Sequence, residues 1–215
     1  MNYPFRNSAD VFLKDRQPFS CLAHTESPFD RDFPNRLPSA EAYDFDEITK
    51  KVCAYRSSRE KRLLHSADAL VISCVHGNAD NGKLHRVFCF VEFKNQKVEN
   101  IQSTKDPSDN TLMMKAFDSL SICAMTFSRD MAMSELQDSA VFVVVYPRQN
   151  YSDRFLDVLG KLASGDGVSK PLWNLDRLVD AGFYKRVLTI DDEEFTKIYS
   201  SELVHGFARP EEALK

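Results

Sequence analysis

The chain has 215 residues, 43% hydrophobic and 28% charged, an ordinary balance for one globular domain that excludes wholesale disorder. Its 28 Lys and Arg against 32 Asp and Glu leave a net charge of −4, so any surface for a phosphate backbone must be local. No apolar run reaches the length of a transmembrane helix, and no membrane association is expected.

Residues 1–38 are rich in Pro, Asp, Arg and Phe (PFRNSAD, QPFSC, SPFDRDFPNRLPS) and read as an extended or partly disordered N-terminal arm with aromatic anchors. Residues 39–215 read as a single α/β domain. A helix is predicted over about 40–59, with Ile48, Val52 and Tyr55 at helical spacing. Asp44 followed by Glu47 fits a capping box that starts this helix at position 45. ALVISCV at 69–75 and LHRVFCFVEFK at 84–94 are predicted strands, joined as a hairpin by a turn centred on Asn81-Gly82. A weak strand at Lys61–Leu64 precedes them. Residues 111–128 form a mostly apolar helix, with Met113, Phe117, Leu120, Ala124 and Phe127 placed on one face. SAVFVVVYP at 139–147 has the continuous β-branched and aromatic pattern of a central strand buried on both faces. A helical C-terminal extension is expected over 151–215: a helix at 151–163, a short helix ending at Gly182, a strand near 186–190, and a helix from Asp191 or Asp192.

Five widely spaced cysteines (Cys21, Cys53, Cys74, Cys89, Cys123) form no CxxC pair, and Cys74 and Cys89 sit in apolar runs. Free buried thiols in a reducing compartment are expected. The opening MNYPFRNSAD has no apolar h-region, so no signal peptide is expected and the predicted location is cytoplasmic. His65, His76 and His85 have no zinc-ligand spacing, and no nucleotide-binding or nucleophile-elbow motif occurs.

The strand at 87–94 carries the most specific signal. Side chains alternate faces with period two, so Phe88, Phe90, Glu92 and Lys94 share one face. A carboxylate and an amine at the end of a buried strand need a partner or a metal, because an isolated buried charge is costly. The hairpin brings Asp68, at the start of the preceding strand, to the same end of the sheet. Two carboxylates there form an oxygen donor set for a divalent cation, and Lys94 stands beside them to orient water or stabilise developing negative charge.

Asp68, then Glu92-Phe93-Lys94 after a hairpin, then a helix and a buried strand, resembles the PD-(D/E)xK superfamily of restriction-endonuclease-like nucleases. The resemblance spans about 44–147 and implies a mixed central sheet with a β-hairpin meander, flanked by helices on both faces. It also implies Mg2+- or Mn2+-dependent phosphodiester hydrolysis in DNA or RNA. Asp68 matches the metal-binding aspartate, Glu92 the second acidic ligand and Lys94 the catalytic lysine. Glu47 lies where some members carry an additional acidic ligand, and Gln96 where some carry a further polar residue. Ala67 departs from the proline that often precedes the aspartate.

Other readings stay open beside this one. Glu92 and Lys94 also fit a plain salt bridge on a strand emerging into solvent. Asp68 fits a turn residue, and Glu47 a capping or surface carboxylate. The run Lys50, Lys51, Arg56, Arg59, Lys61, Arg62 fits a solvated helix face as well as a phosphate contact. The acidic charge favours, as the alternative function, a non-catalytic protein-interaction module that keeps the nuclease-like fold. A third reading is a partner subunit that binds through the arm and the Met-bearing segment 125–133, although Met113, Met114 and Met125 also suit core filling.

Overall fold

The computed structural model describes residues 16–18, 41–56, 64–76, 84–94, 111–127, 131–148 and 171–197. The strands are β1 (Arg16–Pro18), β2 (Glu41–Asp44), β3 (Ala69–His76), β4 (Leu84–Phe93), β5 (Ala140–Tyr146) and β6 (Arg186–Asp191). They form one six-stranded sheet in sequence order. Neighbours from β1 to β4 are antiparallel, while β4–β5 and β5–β6 are parallel. The helices are α1 (Phe45–Arg56), α2 (Thr111–Phe127), α3 (Met133–Ser139) and α4 (Asp176–Asp180). A 3₁₀ turn covers Leu172–Asn174, and residues 192–197 are helical. The chain is therefore a mixed α/β protein with helices against a mixed sheet.

The sheet separates two apolar layers. Leu70, Phe88, Phe90, Phe142 and Val144 face α1, α2, α3 and α4, which contribute Phe45, Ile48, Leu112, Ala116, Leu120, Leu136 and Leu178. Phe90 packs edge-on against Phe45 and against Tyr184, whose hydroxyl donates to the Ala116 carbonyl at 2.7 Å. Ala69, Val71, Cys89, Val91, Phe93, Val143 and Val145 form the opposite layer, where Phe195 of the 192–197 helix meets Phe93 edge-on. All seven residues of β5 are buried, which explains why its sequence lacks polar alternation.

Local chemistry accounts for several boundaries. The Asp44 carboxylate accepts the Glu47 N–H at 3.0 Å and starts α1 at Phe45. Gly182, with φ 71°, follows α4 and takes the left-handed conformation that closes a helix. Burial pushes the thiols of Cys89 and Cys123 far above their ordinary range, so neither supplies a thiolate.

Four features depart from the sequence expectations. The third antiparallel strand of the meander is β2, which precedes α1; Leu64 lies in no strand, and positions 61–63 are outside the described residues. Within the segment read as an irregular arm, Arg16–Pro18 pairs with β2 as an edge strand. The buried stripe of α2 is Leu112, Ala116, Leu120 and Cys123, while Met113 and Phe117 are only partly covered and Met114 is 44% exposed. The helix is thus turned by about one residue from the predicted face. The hairpin register pairs His76 with Leu84, whereas a register counted from a two-residue turn at Asn81-Gly82 sets His76 opposite Val87. That turn, the helix expected at 151–163 and the remainder of the arm lie outside the described residues.

Candidate functional site

The register of β3 and β4 decides what meets at their shared end. Ala69 lies opposite Val91, and one step further Asp68 faces Glu92 on the α2 side of the sheet. The sequence reading, with its turn at 81–82, had Asp68 closer to Lys94. The observed register instead sets the two carboxylates directly opposite each other on one face.

Asp68 is held from both backbone and side chain. Its carbonyl accepts the Phe45 N–H at 3.1 Å, and its Oδ2 accepts the Phe93 N–H at 2.6 Å. That bond fixes one carboxylate oxygen on β4 and leaves Oδ1 to face α2. Glu92 is fully buried. Its Oε1 lies 2.6 Å from Lys94 Nζ and 2.7 Å from Lys115 Nζ, and its Oε2 is 2.9 Å from Lys115 Nζ. Taking two ammonium groups at once, Oε1 is an ion-pair contact outside good hydrogen-bond angles. Lys115 Nζ also reaches Asp68 Oδ1 at 3.4 Å. The Lys94 and Lys115 side chains are 13% and 15% exposed, so these side chains border the mouth of the site and the carboxylates form its floor.

The strand geometry explains Lys94. Its N–H donates to the Val145 carbonyl at 2.8 Å, continuing the β4–β5 ladder one residue past β4. The site therefore sits at the carboxyl end of the parallel strands, where α/β sheets commonly bind ligands.

One turn of α2 supports the other wall. Lys115, Asp118 and Ser119 follow i, i+3, i+4 spacing and share a side. The Asp118 Oδ2 accepts the His65 N–H at 2.9 Å, and the Ser119 Oγ accepts the Ala67 N–H at 2.8 Å. Ser66 bonds Asp46 of α1 through its hydroxyl. The segment before Asp68 is thus clamped between two helices.

Of the sequence-predicted residues, Asp68, Glu92 and Lys94 come together. Glu47 does not join them: its carboxylate pairs with Lys50 one turn along α1, and among the described residues no group of three or more His, Cys, Asp or Glu is placed to hold a metal ion. Lys50 and Lys51 are exposed, and Gln96 and the rest of the basic run lie outside the side chains described. Lys115 was not singled out from the sequence. The only signal for it was a lone cation in the first half of an otherwise apolar helix.

Comparison with protein-family models, with curated proteins and with solved structures gives no match to this chain. Among the described residues, no helix is long and apolar enough to cross a membrane.

Proposed function

We propose that the protein hydrolyses phosphodiester bonds of DNA or RNA with a divalent metal ion, Mg2+ or Mn2+, held by Asp68 and Glu92. One observation carries the reading: the two buried carboxylates converge on a single cation position, which the Lys115 ammonium occupies at 2.7–3.4 Å from both. An ammonium bridging two carboxylates is a stand-in for a harder cation, and oxygen donors are the set that Mg2+ and Mn2+ prefer. The fit to the metal therefore rests on the chain's own contacts.

Bound there, the ion supplies Lewis acidity toward a phosphoryl oxygen. The protein supplies the rest. The Phe93 N–H orients Asp68, burial of Glu92 keeps competing water from the floor of the site, and Lys94 at the mouth stabilises negative charge developing on the phosphate. The succession α1, hairpin β3–β4, α2, parallel β5 supports a restriction-endonuclease-like core, with β2 ahead of α1 as the third antiparallel strand.

A second reading has its own support. Asp68, Glu92, Lys94 and Lys115 balance in charge and contact one another, which also suits a non-catalytic protein-interaction module that keeps this fold. Calorimetric titration of Mn2+ or Mg2+ into wild type and the Asp68→Ala/Glu92→Ala variant separates the two. Binding by wild type alone supports the metal site and justifies cleavage assays on single- and double-stranded DNA and RNA. Silence in both proteins, at metal well above working levels, ends the catalytic reading.

A further inference from the structure

The two lysines of the site differ in a way that bears on how it would take up metal. Lys94 touches one oxygen of Glu92 from the end of β4. Lys115 touches both oxygens of Glu92 and one of Asp68, bridging the pair from α2. A divalent ion needs those same oxygens at about 2.0–2.6 Å. It cannot take them while an ammonium lies 2.7 and 2.9 Å from the Glu92 oxygens. Electrostatics agrees: two carboxylates offset two ammoniums, so a doubly charged ion added without loss of a lysine leaves a buried site with excess positive charge. Lys115 has a route out. Its side chain is 15% exposed, and a four-carbon stem can keep its packing while the head moves into water.

We propose that Lys115 is the resident counter-cation of the Asp68–Glu92 pair and that a divalent ion enters only by displacing it. Metal occupation and exposure of the Lys115 amine are then one event, and the metal-free protein is kept folded by its own cation. This rests on the metal reading above. It adds a polar head group at the mouth of the site only when metal is present, available to a phosphate oxygen of the substrate.

The test needs no activity. The full chain is treated briefly with an amine-acylating reagent, with and without Mn2+, and modification at each lysine is read by mass spectrometry. Lys115 should be protected without metal and become several-fold more reactive with it, while exposed Lys51 stays constant. In parallel, Mn2+ is titrated calorimetrically into wild type and Lys115→Met. The variant lacks the competing ammonium and should bind at least about tenfold more tightly. Binding to Lys115→Met but not to wild type overturns the exchange, because no metal then displaces the wild-type lysine. If wild type binds Mn2+ while Lys115 stays protected, or if a folded Lys115→Met binds no more tightly, the exchange is overturned and the metal site stands. If neither protein binds, both fall. Should Lys115→Met fail to fold, the wild-type labelling alone decides.

Discussion

Two acidic clusters sit at the carboxyl ends of the parallel strands, and they use their charge in opposite ways. At the carboxyl ends of β5 and β6, four consecutive acids run from Asp191 to Glu194, the densest acidic run in the described residues. There Asp191 Oδ1 accepts the Glu194 N–H at 2.7 Å, Asp192 Oδ1 accepts the Arg148 N–H at 2.9 Å, and Glu193 pairs with Arg148 at 2.5 Å. These carboxylates start a helix and fasten a strand end, which is ordinary work for acids at a helix N-terminus. On β3 and β4 only two acids meet, but both are buried and both face ammonium groups, whereas of the four acids from Asp191 to Glu194 only Asp192 is buried and it accepts a backbone N–H. Convergence under burial, rather than the number of acids, makes a cation position.

The comparison breaks most visibly on stability. Glu92→Ala removes the fully buried carboxylate that offsets two lysines, and a stranded buried charge costs about 3–5 kcal/mol. Glu193→Gln, in a pair whose side chains are 50% and 42% exposed, should leave stability nearly unchanged. Urea denaturation of both variants checks this. Equal losses would mean that the β3–β4 cluster is open to solvent and no more demanding than the β6 end.

The next effect tests how the site is held. Ser119→Ala leaves the buried Ala67 N–H without its acceptor and should cost about 1–3 kcal/mol. Ser121→Ala, two residues along the same helix with its hydroxyl bonded at an exposed position, serves as the control and should be nearly neutral. Chemical denaturation reads both. A neutral Ser119→Ala would show that the contacts from Asp118, Asp46, Phe45 and Phe93 hold the Asp68 segment without it.

How far the sequence foretold this site follows from which interactions are local. Period-two alternation placed Glu92 and Lys94 on one face, and the Asp44–Glu47 spacing located the start of α1, because both signals lie within a few residues. The run at 140–146 announced its burial on both faces for the same reason. The register of β3 on β4 was misjudged because it was counted from the Asn81-Gly82 turn signal, and an error of a few positions there moves every pair along the hairpin. β2 lies within the stretch read as a helix over about 40–59: a four-residue strand is stabilised by neighbours on either side and shows little pattern of its own. Lys115 was hidden by the rotation of α2. On the predicted face it is a flanking cation of an apolar helix, and only helix–sheet packing reveals that this flank overlies Asp68 and Glu92.

The smallest expected effect sharpens the comparison through pH. Burial, then the neighbouring Asp191, raise the Glu194 carboxyl above its ordinary value. A raised carboxyl holds its proton longer when folded than when unfolded. The folded state therefore binds more protons between the two pKa values, and stability falls as pH rises through that window. At neutral pH Glu194 is a modest net cost, kept small by its partial exposure. Glu194→Gln should raise the thermal midpoint slightly at neutral pH, and the gain should vanish below the ordinary Glu range, where both side chains are uncharged. The Glu194 N–H still reaches Asp191 in the variant, so the helix start is preserved. A gain that persists at low pH would trace to packing instead of charge. A loss at neutral pH would mean that the ionised Glu194 is held by a partner, as Glu92 is, and would make the two clusters alike.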